Sequence, residues 1–390
     1  MKRGFLPALS LFMGACCLAS GSGMFFTQQN VFLSGEEGYN TLRVPSILMT
    51  KEGTLLAFCE GRSSWRDKIH IDLVMKRSED RGQTWSSLVC LVKAMPKAAM
   101  NPTPVQDRTT GRIFVVYELF PENYDSSRRG LGSDSATDWM IASDDDGRSW
   151  TRPIEITSMT KKPEWGTIAH GPGVGIQTQS GRLMIPSNCG AEDGSYAYVI
   201  YSDDHGKTWQ IGGQAGPHMD EAQVVELAGG DLRMNMRSYR KQGCRAIAYS
   251  SDGGLTWTEP ADEPQLPCPV CQASILRYTR TADSDKNRLL FCNPADASKR
   301  INLTVRISYD EGKTWPVSRL ICSRASGYSC LVVLDDGTIG VLYETSTDAL
   351  FTRDRGTRPP GWMNLAFARF NLEWLTEGRD RLEQCSGTDQ

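Results

Sequence analysis

The chain has 390 residues, with 43 Lys+Arg against 46 Asp+Glu, a formal net charge of −3, 39% hydrophobic residues and 37 glycines. With 23% charged residues and no basic surplus, it is neither a disordered chain nor a nucleic-acid binder. Its four histidines, His70, His170, His205 and His218, form no HExxH or CxxC…HxxxH pattern, so no metal and no cofactor is expected.

In chain order, residues 1–23 read as an export address. Lys2 and Arg3 precede an apolar run over 5–18, then the small residues Ala19, Ser20, Gly21, Ser22 and Gly23. The run Met13-Gly14-Ala15-Cys16 is also a loose lipoprotein cleavage pattern, which leaves secreted, periplasmic and Cys16-anchored forms open. No later apolar run approaches the roughly 18–20 residues of a membrane span, so no transmembrane segment is expected. Residues 24–390 hold no Pro/Ser-rich linker and read as one domain. After Cys16 and Cys17, ten cysteines remain, several inside apolar runs; mostly buried thiols are expected, with room for one or two bridges.

From residue 54 onward, short apolar runs alternate with Gly-containing turns, as in Thr54 to Cys59, Arg112 to Tyr117 and Thr338 to Tyr343, and no amphipathic helix of three turns appears. Superimposed on them is an octapeptide, Ser-x-Asp-x-Gly-x-Thr/Ser-Trp, at 78–85, 143–150, 202–209, 250–257 and 308–315. Each copy follows a strand-like run, and its Asp and Gly are turn residues, so it reads as a structural hairpin. A calcium loop would need twelve residues with a closing Glu, which is missing. Strand clusters recurring at this period predict an all-β fold, a six-bladed β-propeller with these Asp-box hairpins. The run Gly171-Pro172-Gly173-Val174-Gly175 lacks GxGxxG spacing and a following helix, so it is not a nucleotide loop.

These boxes, together with Arg43-Val44-Pro45 near the start, resemble the exo-α-sialidases (neuraminidases), whose mark is an Arg-Ile/Val-Pro motif followed by such repeats. Similar segments continue in order: Glu60 through Arg62 to Asp67, Met100-Asn101-Pro102, Asp220-Glu221, Met234 to Arg237, Val305-Arg306, Gly327-Tyr328, and Tyr343-Glu344. The resemblance covers about residues 30–375. It implies a retaining glycosidase acting on terminal sialic acids of glycoproteins, gangliosides and oligosaccharides. A fixed carboxylate on the sugar calls for guanidinium forks, which pair bidentately. By resemblance these are Arg43, Arg237 and Arg306, with Glu344 orienting Arg43. Sialidases use a tyrosine nucleophile; here that is Tyr328, with Glu221 as its proton acceptor and Asp67 as acid/base. Arg62 and Asn101 would complete the sugar pocket. A trans-sialidase or intramolecular variant shares this set, and a non-catalytic glycan-binding propeller would be expected to lose Asp67 or Tyr328.

Overall fold

The computed structural model describes residues 23–347 and 363–383; of the expected export address it describes only Gly23. The chain forms six four-stranded antiparallel blades around one axis, so the expected propeller is the fold. From the axis outward, the first blade is Thr41–Met49, Leu55–Arg62, Ile71–Ser78 and Val89–Val92. Four further blades follow in chain order, and the long strand Val317–Val333 is the outer strand of the fifth and the inner strand of the sixth. In the sixth blade the outermost strand is Phe26–Leu33, which pairs with Asn364–Phe370 and closes the ring between the two ends of the described chain. The strand Leu55–Arg62 is buried along its whole length. Blades cover one another on both faces, and for that reason the middle strands read as continuous apolar runs rather than alternating ones.

The five boxes are the hairpins between third and fourth strands of blades one to five. In the sixth blade the fourth strand comes from the N-terminal end, so no such hairpin exists in sequence; six blades therefore carry five boxes. Within each box the Asp carboxylate organises the turn. Asp204 accepts from Ser202 Oγ at 2.8 Å, Thr208 N at 2.9 Å and Thr208 Oγ1 at 2.7 Å, while Ser202 Oγ accepts from Gly206 N at 2.8 Å. The glycine is required twice over. Its φ is positive (+77° at Gly206), and a Cβ there would strike the Phe114 ring of the preceding blade. The box tryptophans reach the same way: Trp85, Trp150 and Trp209 meet Phe367, Phe58 and Phe114 edge-on, at 5.6–6.1 Å between centroids. The boxes thus staple neighbouring blades.

At the axis, the inner strand of the third blade breaks into Ile168–His170 and Ile176–Gln177 around Gly171-Pro172-Gly173. The carbonyl of Pro172 accepts from Gln223 at 3.1 Å and from Gln272 at 2.9 Å, and that of Gly173 from Ser46 Oγ at 2.6 Å. A Cβ on Gly173 would overlap Gln223. This glycine-rich run is the hub that joins blades one, four and five.

The nine described cysteines are free thiols, seven of them buried, so the bridges allowed for above do not form among them; Cys385 lies outside the described residues. No helix among the described residues is long and apolar enough to cross a membrane.

Partial burial works against ionisation of Asp204, yet hydrogen bonds from Thr208 and Ser202 hold its carboxyl down to about 2. A folded value below the ordinary one of about 4 gives stability that is complete above pH ~4 and is lost as pH falls toward 2. Because solvent screens this open turn, Asp204→Ala should cost about 1 kcal/mol at neutral pH, a drop in Tm of about 1–2 °C. By scanning calorimetry this deficit should shrink at pH 2.5; an equal deficit at both pH values would mean that the carboxylate charge is not what the turn uses.

Candidate active site

Strand direction settles which end of the axis carries chemistry. Inner strands run from the pocket mouth to the far face, second strands return, and third strands descend again to the boxes. Pocket and boxes therefore lie on opposite faces. At the mouth four inner strands break register: between Arg43 and Ser46, Met100 and Thr103, Met219 and Ala222, and Ser326 and Ser329. A bulge turns a side chain out of the sheet's alternation, and these four sit at Arg43, Asn101, Glu221 and Tyr328. Val44 and Asn101 have positive φ, +58° and +50°. The bulges aim residues from four blades into one cavity of about 330 Å³, also lined by Arg62, Asp67, Lys68, Glu118, Asp220, Arg237, Tyr239 and Arg300.

On one wall stands the tyrosine. Tyr328, 8% exposed, donates its hydroxyl to Glu221 Oε1 in a short hydrogen bond. Arg237 Nη1 donates to the same hydroxyl at 3.1 Å and to Glu221 Oε2 at 2.8 Å. Burial first and the Glu221 carboxylate second push the phenol far above its ordinary range, against the opposing pull of Arg237 and Arg300.

Facing it is Asp67, on the loop between second and third strands of the first blade, its side chain 64% exposed. Arg62 Nη1 donates to its Oδ1 at 2.7 Å, and Arg43 Nη1 stands 3.8 Å away. Burial alone would raise the Asp67 carboxyl, but Arg62 and then Arg43 outweigh it and hold it at about 2. Arg62 is itself wholly buried and paired with Glu60, whose other oxygen accepts from Asn101 N at 2.9 Å. Asn101 Nδ2 donates to Glu118, a carboxyl that burial and the nearby charges of Asp138 and Glu60 push well up.

Glu344, with no exposed surface, accepts from Arg43 Nε at 3.0 Å and Nη2 at 3.4 Å, and from the amides of Val44 and Tyr328 at 3.1 Å each. A Cβ on Gly327 would collide with this carboxylate, so only glycine fits before Tyr328.

The structure thus brings together Arg43, Arg62, Asp67, Asn101, Glu221, Arg237, Tyr328 and Glu344. It does not bring Arg306. That residue lies low on the third strand of the fifth blade, Ile301–Ser308, two positions before the box; its Nη1 donates to Asn293 at 3.2 Å. At about 3.3 Å per residue, adjacency to a box puts a side chain near the far face. Arg300, just before the same strand, stands in the pocket instead, with its guanidinium 5.5 Å from the Tyr328 ring centroid and Nη2 donating to Val270 O at 3.2 Å. The signal for Arg300 was its place in the loop ahead of the strand. In a larger cleft of about 1230 Å³ beside the outermost strand of the sixth blade, the two guanidiniums, Arg81 and Arg369, are both paired with Asp336.

Comparison with known proteins agrees with the propeller fold. The profile of the BNR repeat-like domain family matches residues 53–341. A sialidase of Micromonospora viridifaciens is 32% identical over 91% of this chain, which spans 55% of that protein, and an exo-alpha-sialidase of Aspergillus fumigatus is 29% identical over 89% of this chain and 87% of its own length. The chain spans 61% of a similar Bacteroides fragilis sialidase, so it covers little more than half of the bacterial relatives. Among solved structures, the Hadza microbial sialidase Hz136 superposes with a TM-score of 0.80 at 31% identity, over 89% of this chain and 69% of that one. The chain belongs to the sialidase family of BNR-repeat propellers.

Proposed function

We propose that the chain is an exo-α-sialidase that releases terminal sialic acid from glycoproteins, gangliosides and oligosaccharides with retention of configuration. One observation carries the reading: a buried tyrosine hydroxyl, bonded to Glu221 and Arg237, faces an arginine-held aspartate across a small cationic cavity. The relatives named sialidase support it. Arg43, Arg237 and Arg300 bind the carboxylate of the sugar, Arg300 taking the place first given to Arg306. Tyr328 attacks the anomeric carbon. Its phenol is too weak an acid to ionise unaided, so the proton passes to Glu221 as the carbon–oxygen bond forms. The glycosidic bond breaks, and the leaving oxygen takes its proton from Asp67. Asp67 then removes a proton from water, which attacks the same carbon and releases Tyr328; the phenolic oxygen recovers its proton from Glu221. Two displacements retain the configuration. We further read residues 1–23 as directing export and residues 24–390 as the single propeller domain; the basic, apolar and small-residue order of the first segment supports this.

Asp67 must be protonated to act as an acid, yet Arg62 and Arg43 hold it near 2 in the open pocket. A sugar carboxylate on Arg43 neutralises part of that field and displaces water, which raises the Asp67 value. Binding of sialic acid at pH 5 should therefore take up protons, and calorimetry in buffers of different ionisation enthalpy should give a positive uptake that vanishes in Asp67→Asn. Zero uptake in the wild type would place the acid elsewhere.

Removing one charge-assisted pair costs on the order of 1.5–3 kcal/mol. Arg300→Ala and Arg237→Ala should each weaken sialic acid binding more than tenfold, while Arg306→Ala leaves it unchanged. The reverse order for Arg300 and Arg306 would return Arg306 to the clamp.

With a 3-fluoro-sialosyl fluoride, the wild type should gain one covalent sugar on Tyr328, located by peptide mass spectrometry, and Tyr328→Phe should gain none. Asp67→Ala should lose far more activity on sialyl-glycans than on aryl sialosides, whose leaving groups need little protonation. A label on Glu221 or Asp67 would replace the tyrosine mechanism by a carboxylate nucleophile.

A further inference from the structure

Asp67 sits on an open loop, residues 63–70, that offers it little packing. Its side chain and that of Ile69 are largely exposed, and the loop's own backbone contributes one closing hydrogen bond, Ser63 N to His70 O at 3.1 Å. Arg62 fixes one carboxylate oxygen from behind. It also donates to the Trp65 carbonyl of the loop at 3.3 Å, and the residue after Asp67 adds a restraint from the other side. Lys68 has a φ of +62°, which turns its side chain back toward the second blade. There its ammonium lies 4.7 Å from the Phe120 ring centroid and 4.6 Å from that of Tyr124. The two rings stand edge to face, 4.7 Å apart, and the Tyr124 hydroxyl is hydrogen-bonded to Thr167 Oγ1 at 2.7 Å. The bracket is thus anchored in the second and third blades, while the loop it holds belongs to the first.

We propose that Lys68 is a positioning residue for the acid/base step: its ammonium, seated in the angle formed by Phe120 and Tyr124, pins the loop so that the adjacent Asp67 reaches the leaving oxygen. A cation against an aromatic ring is held by the ring quadrupole, and two adjoining rings that meet edge to face narrow its direction as well as its distance. Burial lowers the pKa of this ammonium from the ordinary lysine range, and the charges of Glu118, Asp67 and Asp220, which it faces, offset only part of that. Loosening the latch costs orientation of Asp67 and leaves the Tyr328 attack untouched. The loss is therefore confined to substrates whose leaving group needs a proton.

This rests on the sialidase reading, and the test separates the two. The quantity read is the ratio of kcat/KM on sialyllactose to that on an aryl sialoside with a good leaving group. Lys68→Met and Phe120→Leu should each lower the ratio about tenfold, the second without changing any charge, and Lys68→Arg should keep it within twofold of wild type. Affinity for free sialic acid should be unchanged in all three. Hydrogen exchange of amides 63–70 should quicken in the Met and Leu variants and not in the Arg variant. A parallel fall on both substrates, an Arg variant as poor as the Met variant, or weakened sialic acid binding would each overturn the latch. A wild type that hydrolyses neither sialoside would defeat the sialidase reading instead, and the exchange rates would still decide whether Lys68 holds the loop.

Discussion

Everything at the mouth of this propeller depends on one carboxylate with no access to water. Glu344 receives the Arg43 guanidinium through two nitrogens and the amides of Val44 and Tyr328, so it is anchored by four donors. Burial would favour its neutral form, but Arg43 and the hydrogen bonds keep it below the ordinary carboxylate range. Ion pairs of this kind contribute little net stability, yet removing one partner leaves the other charge stranded at a cost of roughly 3–5 kcal/mol. The same atoms join the first blade to the sixth beside the point where the ring closes. One carboxylate therefore sets Arg43, Tyr328 and the seam of the propeller together, and the missing Cβ at Gly327 is the space it needs.

Backbone irregularity is the second device. A regular inner strand alternates its side chains between the two neighbouring blade interfaces and would present nothing to the axis. Register breaks at Arg43, Asn101, Glu221 and Tyr328 override that alternation at one end only. At the opposite end lie the boxes, where Asp and Gly serve turns and blade contacts. Stability and chemistry are thereby separated by the length of a strand, and substitutions at one end leave the geometry at the other largely alone.

Much of this was legible in the sequence, for reasons that differ from residue to residue. Turn chemistry in the boxes is local, so the octapeptide announced its own hairpin, and the spacing of the boxes announced the blades. The sixth blade carries no box because its outer strand is borrowed from the N-terminal end. Arg43, Asp67, Glu221, Tyr328 and Glu344 could be named only through the resemblance to the sialidases, whose segments they match in order; nothing in their spacing alone draws them together. Arg306 misled because it abuts a box, and a box marks the wrong end of the strand. Arg300 sits in a loop between Lys299 and Ile301 with no turn signal of its own. Glu60 and Glu118 read as interior strand residues; only their convergence from two blades on Asn101 and Arg62 shows that they floor the pocket.

The charges of the pocket are not evenly matched, and the mismatch has a direction. Arg43 is paired with Glu344, Arg62 with Glu60 and Arg237 with Glu221, each within the protein. Such pairs preorganise a guanidinium without leaving much field for a ligand. Among the described residues no carboxylate pairs with Arg300, which is held by the Val270 carbonyl and lies over the Tyr328 ring. Its charge is therefore not balanced inside the protein as those of the other three are. In a narrow, low-dielectric cavity an uncompensated cation attracts far more strongly than it would at an open surface. The three paired arginines supply shape and Arg300 supplies net charge. On the reading proposed above, an anion seated against Arg43 also weakens the field that keeps Asp67 ionised, so binding the acidic sugar and arming the acid become a single event.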